Sequence, residues 1–137
     1  MNSSLFYRIA SVLLVLFAVG HTLGFRQVDP KWGVDAALTS LRSIHFDAQG
    51  FGRTYWDFYV GFGLFVSVFL LFAAVTAWQL AGINGGTLAS MPLITWGLVV
   101  CFVAVTILSW KYFFLIPVIF SVAITLCLIA GAWFSRK

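Results

Sequence analysis

Glutamate is absent from this 137-residue chain, and all four of its acidic side chains are aspartates between positions 29 and 57. From Phe58 to Phe134 the only charged residue is Lys111. Charged residues make up 9% of the chain, whereas they are about 25% of an ordinary soluble domain. These shortages exclude a soluble domain, because long uncharged stretches provide no surface that stays dissolved.

Several motifs are missing as well. The chain has no P-loop, no GxGxxG, no nucleophile elbow and no CxxC pair, so it predicts neither nucleotide chemistry nor thiol exchange. Its two cysteines, Cys101 and Cys127, lie in apolar stretches, and we expect no disulfide between them. The net charge of +4 is spread along the chain and forms no phosphate-binding stripe, which excludes nucleic acid as a partner.

Hydrophobic residues, by contrast, make up 62% of the chain, and the mean hydropathy is +1.04. They form four blocks, at about residues 5–25, 58–79, 91–110 and 112–134. Each block has the ~20 residues with which a helix crosses a hydrocarbon layer, where backbone groups must be bonded internally. The sequence therefore predicts an all-α fold, a single transmembrane domain over residues 1–137 folded as an up-down-up-down four-helix bundle.

The connections between the blocks carry helix signals of their own. In the long first connection, Asp29 and Pro30 form a helix-start signal, and the apolar spacing after them predicts one amphipathic helix over about residues 30–44. Ser90 is predicted to cap the third helix, with Pro92 in its first turn. Pro117 either kinks the fourth helix or marks its start.

Polar side chains collect at one end of the predicted bundle. His21 lies near the end of the first block and Asp57 at the start of the second, so both belong to one leaflet. An ionisable group inside a span usually faces the interior or a wet cavity, which makes His21 and Asp57 the catalytic candidates. The ligand-binding candidates at this end are His21, Thr22, His45, Asp47, Arg53, Tyr55, Tyr59 and Trp110.

Each of these candidates also has a purely structural interpretation. His21 can hydrogen-bond a neighbouring helix, and Arg53 and Asp57, four residues apart, can form an ion pair at a helix end. The GxxxG pair of Gly20 and Gly24 is typical of close helix packing, although missing side chains also leave room for a ligand. Spacing alone does not separate these alternatives.

Metal and cofactor sites are not predicted. Four ligands would be available only if His45 and Asp47 folded back onto His21 and Asp57, and two-histidine haem ligation by His21 and His45 would need facing spans. We therefore expect no cofactor and no metal.

Three segments of the sequence are distinctive: GHTLG at residues 20–24, IHFD at 44–47 and RTYWDFYVGFGL at 53–64. They resemble a group of small bacterial four-span proteins of unassigned activity. The resemblance covers the first two spans and implies a multi-pass protein of the bacterial inner (cytoplasmic) membrane. A weaker resemblance is to sterol-isomerase-type membrane proteins, in which a histidine and carboxylates line a lipid cavity. This chain departs from that pattern because it has no glutamate within its spans.

Two classes of function follow. The first, which we favour, is a small membrane protein that binds a lipid or another hydrophobic small molecule, or that serves as an accessory subunit of a larger membrane complex. The second is a membrane enzyme that uses His21 and Asp57 for acid–base chemistry on a lipid or isoprenoid substrate. Membrane lipid is the expected partner, a homodimer is compatible with the glycine-rich faces, and the orientation in the membrane stays open.

Overall fold

The computed structural model describes residues 3–136, and in this part of the chain the fold is all-α apart from one small hairpin. Its helices are α1 (Ser3–Gly24), α2 (Asp35–Ser43), α3 (Tyr55–Ala81), α4 (Gly85–Ala89), α5 (Pro92–Tyr112) and α6 (Leu115–Phe134). The hairpin strands are β1 (Phe46–Ala48) and β2 (Phe51–Arg53). By length and composition, α1, α3, α5 and α6 are each able to cross a membrane.

These four long helices follow one another in space in the order α3, α1, α6, α5. Helix α1 packs against α3 on one side and α6 on the other, and α6 packs against α5. Helices α3 and α5, although consecutive spans in the chain, share no extensive contact within residues 3–136. The core therefore lies along α1 and α6, and most large side chains of α3 and α5 are exposed on the outside.

The seam between α1 and α3 is built from small residues and hydroxyls. Ser11 donates to the backbone oxygen of Ala74 at 2.8 Å, and Ala18, Ala74 and Ser67 are all buried. Small side chains let two helices approach closely, and a serine hydroxyl can then donate a hydrogen bond to the facing backbone. Of the two alternatives for Gly20 and Gly24, packing does not apply within this chain, because a Cβ added at either would meet nothing within 4 Å.

The seam between α1 and α6 is aromatic. Tyr7 is completely buried against Gly131, and the Phe17 and Phe120 rings stack at 5.4 Å. The α5–α6 seam is more polar, since the hydroxyl oxygens of Thr106 and Thr125 lie 3.1 Å apart. These contacts fix α1 and α6 as the inner helices of the row.

The first connection differs from its prediction as one helix over residues 30–44. A 3-10 turn at Pro30–Trp32, capped by the Asp29 carboxylate, ends at Gly33, which has a φ of 64°. That left-handed conformation stops the turn before α2 begins, because it is incompatible with a continuous right-handed helix. The signal at Asp29 and Pro30 was correct, and the continuity was wrong.

The hairpin that follows α2 was not predicted from the sequence. Its turn consists of Gln49 and Gly50, with φ values of 57° and 89°, and the Asp47 carboxylate accepts a hydrogen bond from Gly50 N at 2.6 Å. Two positive φ values make this the turn that matches strand twist. Strands of three residues are too short for a periodic signal, so Gly50 was the only clue in the sequence.

The predictions for the later helix boundaries are partly correct. Ser90 ends α4 and does not cap α5, whose N-cap is Met91 without a side-chain hydrogen bond, so the Ser90 prediction is wrong. Pro92 does occupy the first turn of α5. Pro117 lies in the first turn of α6, where a missing N–H costs nothing, so it marks the helix start and does not kink the span.

Candidate functional site

His21 lies half-buried between α1 and α3 and contacts the facing backbone. Its Nε2 donates to the carbonyl oxygen of Gly63 at 3.0 Å, and its ring stacks on Phe25 with the centroids 5.1 Å apart. A carbonyl can only accept, so the tautomer protonated at Nε2 makes this bond. The imidazole is therefore already engaged in joining two helices.

Thr22 and Tyr59 extend this link. The hydroxyl oxygens of Thr22 and Ser67 lie 2.7 Å apart across the α1–α3 seam. The Tyr59 hydroxyl donates to the backbone oxygen of Phe25, just after α1 ends. Together with His21, these groups satisfy polar atoms at the end of the seam and fix where the chain leaves α1.

Asp57 has a different local role, as part of the cap of α3. Its carboxylate accepts from the backbone N of Thr54 at 2.8 Å, while Asp57 N donates to the Thr54 hydroxyl at 3.1 Å. This reciprocal pair is a capping box. Arg53 precedes the helix, in β2, so the helical spacing on which the predicted Arg53–Asp57 ion pair depends is absent. The Arg53 guanidinium donates to Gly52 O and lies over the Phe51 ring.

The point where His21 contacts α3 is consequently far from Asp57 along that helix. His21 bonds Gly63, which follows Asp57 by six positions, and at 1.5 Å per residue this is about 9 Å of helix. Direct proton transfer needs a heavy-atom distance of ~3 Å, or one bridging water. The structure brings His21 to Thr22 and Tyr59, and it brings Asp57 to Thr54.

The remaining candidates lie on or beside the hairpin, with one exception. His45 and Asp47 are exposed, and Tyr55 packs its ring on Phe46 with a centroid distance of 4.9 Å. Trp110, near the end of α5, is 77% exposed and belongs to neither group. In the described part of the chain, no three His, Cys, Asp or Glu side chains come together as a metal site would require.

The cap can be separated experimentally from a catalytic role of Asp57. Thr54→Ala removes the reciprocal bond and is expected to lower the free energy of unfolding by about 1 kcal/mol. Thr54→Ser keeps the hydroxyl and serves as the matched control. Asp57→Asn removes the carboxylate but keeps an oxygen that can accept from the backbone N of Thr54. Thermal unfolding in detergent is the measurement. A stability of Thr54→Ala equal to that of Thr54→Ser would contradict the capping role.

Two open recesses adjoin at this end of α3. One, of about 580 Å³, lies beneath the hairpin and is lined by Asp47, Ala48, Gln49, Phe51, Arg53 and Phe58. The other, of about 250 Å³, continues along α3 and is lined by Arg53, Asp57, Phe58, Gly61, Phe62 and Phe65. Arg53 and Phe58 belong to both, so the two form one surface, which we call the hairpin groove.

The polar residues of the hairpin groove were evident from the sequence, whereas its apolar residues were not. Five phenylalanines on α3 alternate in spacing by four and three positions, and all are exposed: Phe58, Phe62, Phe65, Phe69 and Phe72. This spacing puts them on one face of the helix. In an apolar span a row of phenylalanines does not stand out by hydropathy, and only its spacing could have revealed it.

The fold and this surface define the class of protein. Four candidate membrane spans indicate a multi-pass membrane protein, with its carboxylates and most of its other charged groups at one end. Comparisons with models of protein families, with curated proteins and with solved structures find no match to this chain. The function must therefore be argued from its own residues.

Proposed function

We propose that this protein is a small integral membrane protein that binds a lipid or a similar amphiphile in the hairpin groove. The single observation that carries the proposal is that a recess lined by both charged and apolar side chains adjoins a more apolar groove and shares Arg53 and Phe58 with it. A lipid has a polar headgroup followed by an apolar chain, which matches the sequence of charged and then apolar surface along the groove. The resemblance to bacterial four-span proteins adds the expectation of the bacterial inner membrane.

One basic side chain of the groove, Arg53, can bind a phosphate in the headgroup. Arg53 is exposed and is the only basic residue that lines either recess. A guanidinium offers a planar fork of donors that matches phosphate oxygens and is always charged. Asp47 and Asp57 also line the groove, so its lining carries more negative than positive charge and would repel a headgroup with a net negative charge.

The apolar part of the groove suits a hydrocarbon chain. Phe58, Phe62 and Phe65 provide its walls, and Gly61 leaves space between them because a Cβ there would meet nothing within 4 Å. The groove lies on the outer face of α3, so a chain would enter it sideways from the bilayer. No passage through the helix row is needed.

An accessory subunit is the second candidate, and the row of phenylalanines favours it. Phe69 and Phe72 continue the row beyond the groove, with 70% and 69% of their surface exposed. A facing membrane helix could interlock with side chains at alternating spacings of four and three. Such a partner would cover the same face of α3 as the lipid, so the two candidates compete for one surface.

The alternative of a membrane enzyme that uses His21 and Asp57 receives less support. His21 donates to a helix backbone, Asp57 caps a helix, and about 9 Å of helix lies between their contacts. Lipid binding requires neither side chain to change its partner. We therefore place binding before catalysis.

The test is lipid retention after gentle extraction, measured by native mass spectrometry. Gly61→Leu fills the groove without a clash inside the chain and is expected to lower lipid occupancy about tenfold, since it removes the space for the chain. Gly20→Leu adds the same side chain on α1, also in open space, and is the matched control. Arg53→Gln is expected to reduce the lipid occupancy several-fold. Arg26→Gln, at the same end of the protein, is the control and is expected to leave the occupancy unchanged.

Equal lipid occupancy in Gly61→Leu and Gly20→Leu would overturn the lipid proposal. A protein partner that is lost only from Gly61→Leu and from Phe69→Ala, with no lipid in the native spectrum, would instead favour the accessory subunit.

A further inference from the structure

The end of the protein opposite the hairpin groove has its own charged groups. Here α1 and α5 begin and α3 and α6 end, and within residues 3–136 the exposed basic residues at this end are Arg8 on α1 and Arg136 just after α6. The Arg8 guanidinium lies 5.7 Å from the centre of the Trp78 ring, and that of Arg136 lies 5.3 Å from the centre of the Trp96 ring. We call this surface the terminal face.

Each arginine reaches from one helix to the next. Arg8 of α1 lies over Trp78 of α3, and Arg136 at the end of α6 lies over Trp96 of α5. These are the two outer seams of the row, because α1 and α6 are its inner helices. An indole ring face attracts a guanidinium without accepting a conventional hydrogen bond, so the N–H groups can still donate to a further acceptor.

No acidic side chain compensates these two arginines. All four aspartates lie between Asp29 and Asp57, in the segment at the opposite end of the helices. In the described residues at the terminal face, each of the two guanidiniums contacts an aromatic ring and neither faces a carboxylate. Among the described residues, the charged side chains of the terminal face are therefore all basic, whereas the hairpin end has both signs of charge.

We propose that the terminal face binds the phosphate groups of anionic phospholipids through Arg8 and Arg136. Indole rings prefer the headgroup level of a bilayer, so the exposed Trp78 holds the Arg8 guanidinium near the depth of the lipid phosphates, whereas Trp96 packs against the core beneath Arg136. A basic residue near an anionic membrane surface raises the affinity about fivefold. This site is independent of the hairpin groove, with which it shares no residue.

The experiment measures lipid selectivity in reconstituted vesicles. The protein is reconstituted in phosphatidylcholine vesicles that contain spin-labelled phosphatidylglycerol or spin-labelled phosphatidylcholine. The fraction of each labelled lipid that is in direct contact with the protein is then compared. The unmodified protein is expected to prefer phosphatidylglycerol about tenfold or more, and the preference is expected to fall as salt is raised. Arg8→Gln combined with Arg136→Gln is expected to remove most of it.

The matched control removes the same charge at the other end. Arg26→Gln combined with Lys31→Gln is expected to retain the preference, because those positions are close to the aspartates. Arg8→Lys combined with Arg136→Lys keeps the charge but not the planar fork, so an intermediate preference is expected. Circular dichroism checks that every variant has kept its helix content.

Either of two outcomes would overturn the proposal. One is an unmodified protein without preference for phosphatidylglycerol, a result that needs no variant to fold. The other is an equal loss of preference in the Gln pair at each end, which would show an effect of net charge alone. Neither result bears on lipid occupancy of the hairpin groove.

Discussion

Replacing Ala74 by leucine is expected to separate α1 from α3 and to lower the free energy of unfolding by about 3 kcal/mol. Ala74 is 2% exposed, and its carbonyl oxygen accepts the Ser11 hydroxyl at 2.8 Å. This hydrogen bond holds α1 and α3 close together at a buried position, which leaves no room for three further carbon atoms. The seam would have to open, and the Ser11 hydrogen bond would be lost with it.

The neighbouring position provides the control for this prediction. Val75 is 60% exposed, so Val75→Leu adds a methylene on the outside of α3 and is expected to leave stability within about 0.5 kcal/mol. Thermal unfolding in the same detergent compares the two variants. Similar melting temperatures for Ala74→Leu and Val75→Leu would show that α1 and α3 are not closely packed.

Gly131→Val is the second substitution with a large expected effect. A Cβ at this position would lie 3.0 Å from two atoms of the Tyr7 ring, and Tyr7 is completely buried. Because the ring is enclosed on all sides it cannot move away, and overpacking of this kind costs about 1–3 kcal/mol. The expected result is a lower melting temperature in detergent, with α6 displaced from α1.

Two further variants make this prediction specific. Gly97→Val introduces the same side chain in α5, where a Cβ meets nothing within 4 Å, and is expected to be nearly neutral. Tyr7→Leu shortens the side chain that Gly131→Val would strike, so the double variant is expected to lose less stability than the sum of the two single variants. Simple additivity would contradict a direct contact between Tyr7 and residue 131.

Much of the fold could be predicted from hydropathy alone. Four apolar blocks of span length predicted the four long helices, and Pro92 marked the first turn of one of them, whereas Pro117 was compatible with either a kink or a helix start. These predictions succeed because a long apolar segment satisfies its backbone only as a helix when no water is present. The boundaries at Gly33 and Ser90 were missed, because they depend on local dihedral angles and on competition between adjacent caps.

The candidate site was predicted less well. The position of His21 near the end of a span was evident, but its acceptor, Gly63 O, lies 42 positions away in the chain. Asp57 was equally conspicuous, and its local capping box with Thr54 could have been read from the four residues 54–57. The hairpin was hidden because strands of three residues have no detectable period.

By itself, the sequence determined that the long elements are helices and that acidic groups lie at one end, because apolar side chains and backbone hydrogen bonding leave a span no other structure. Only the tertiary structure decided which helices touch, since lipid is as apolar as leucine and hydropathy does not distinguish a lipid-facing side from a packed one. In the tertiary structure α1 and α6 are the inner helices and His21 joins α1 to α3. Arg53 and Phe58 line the hairpin groove.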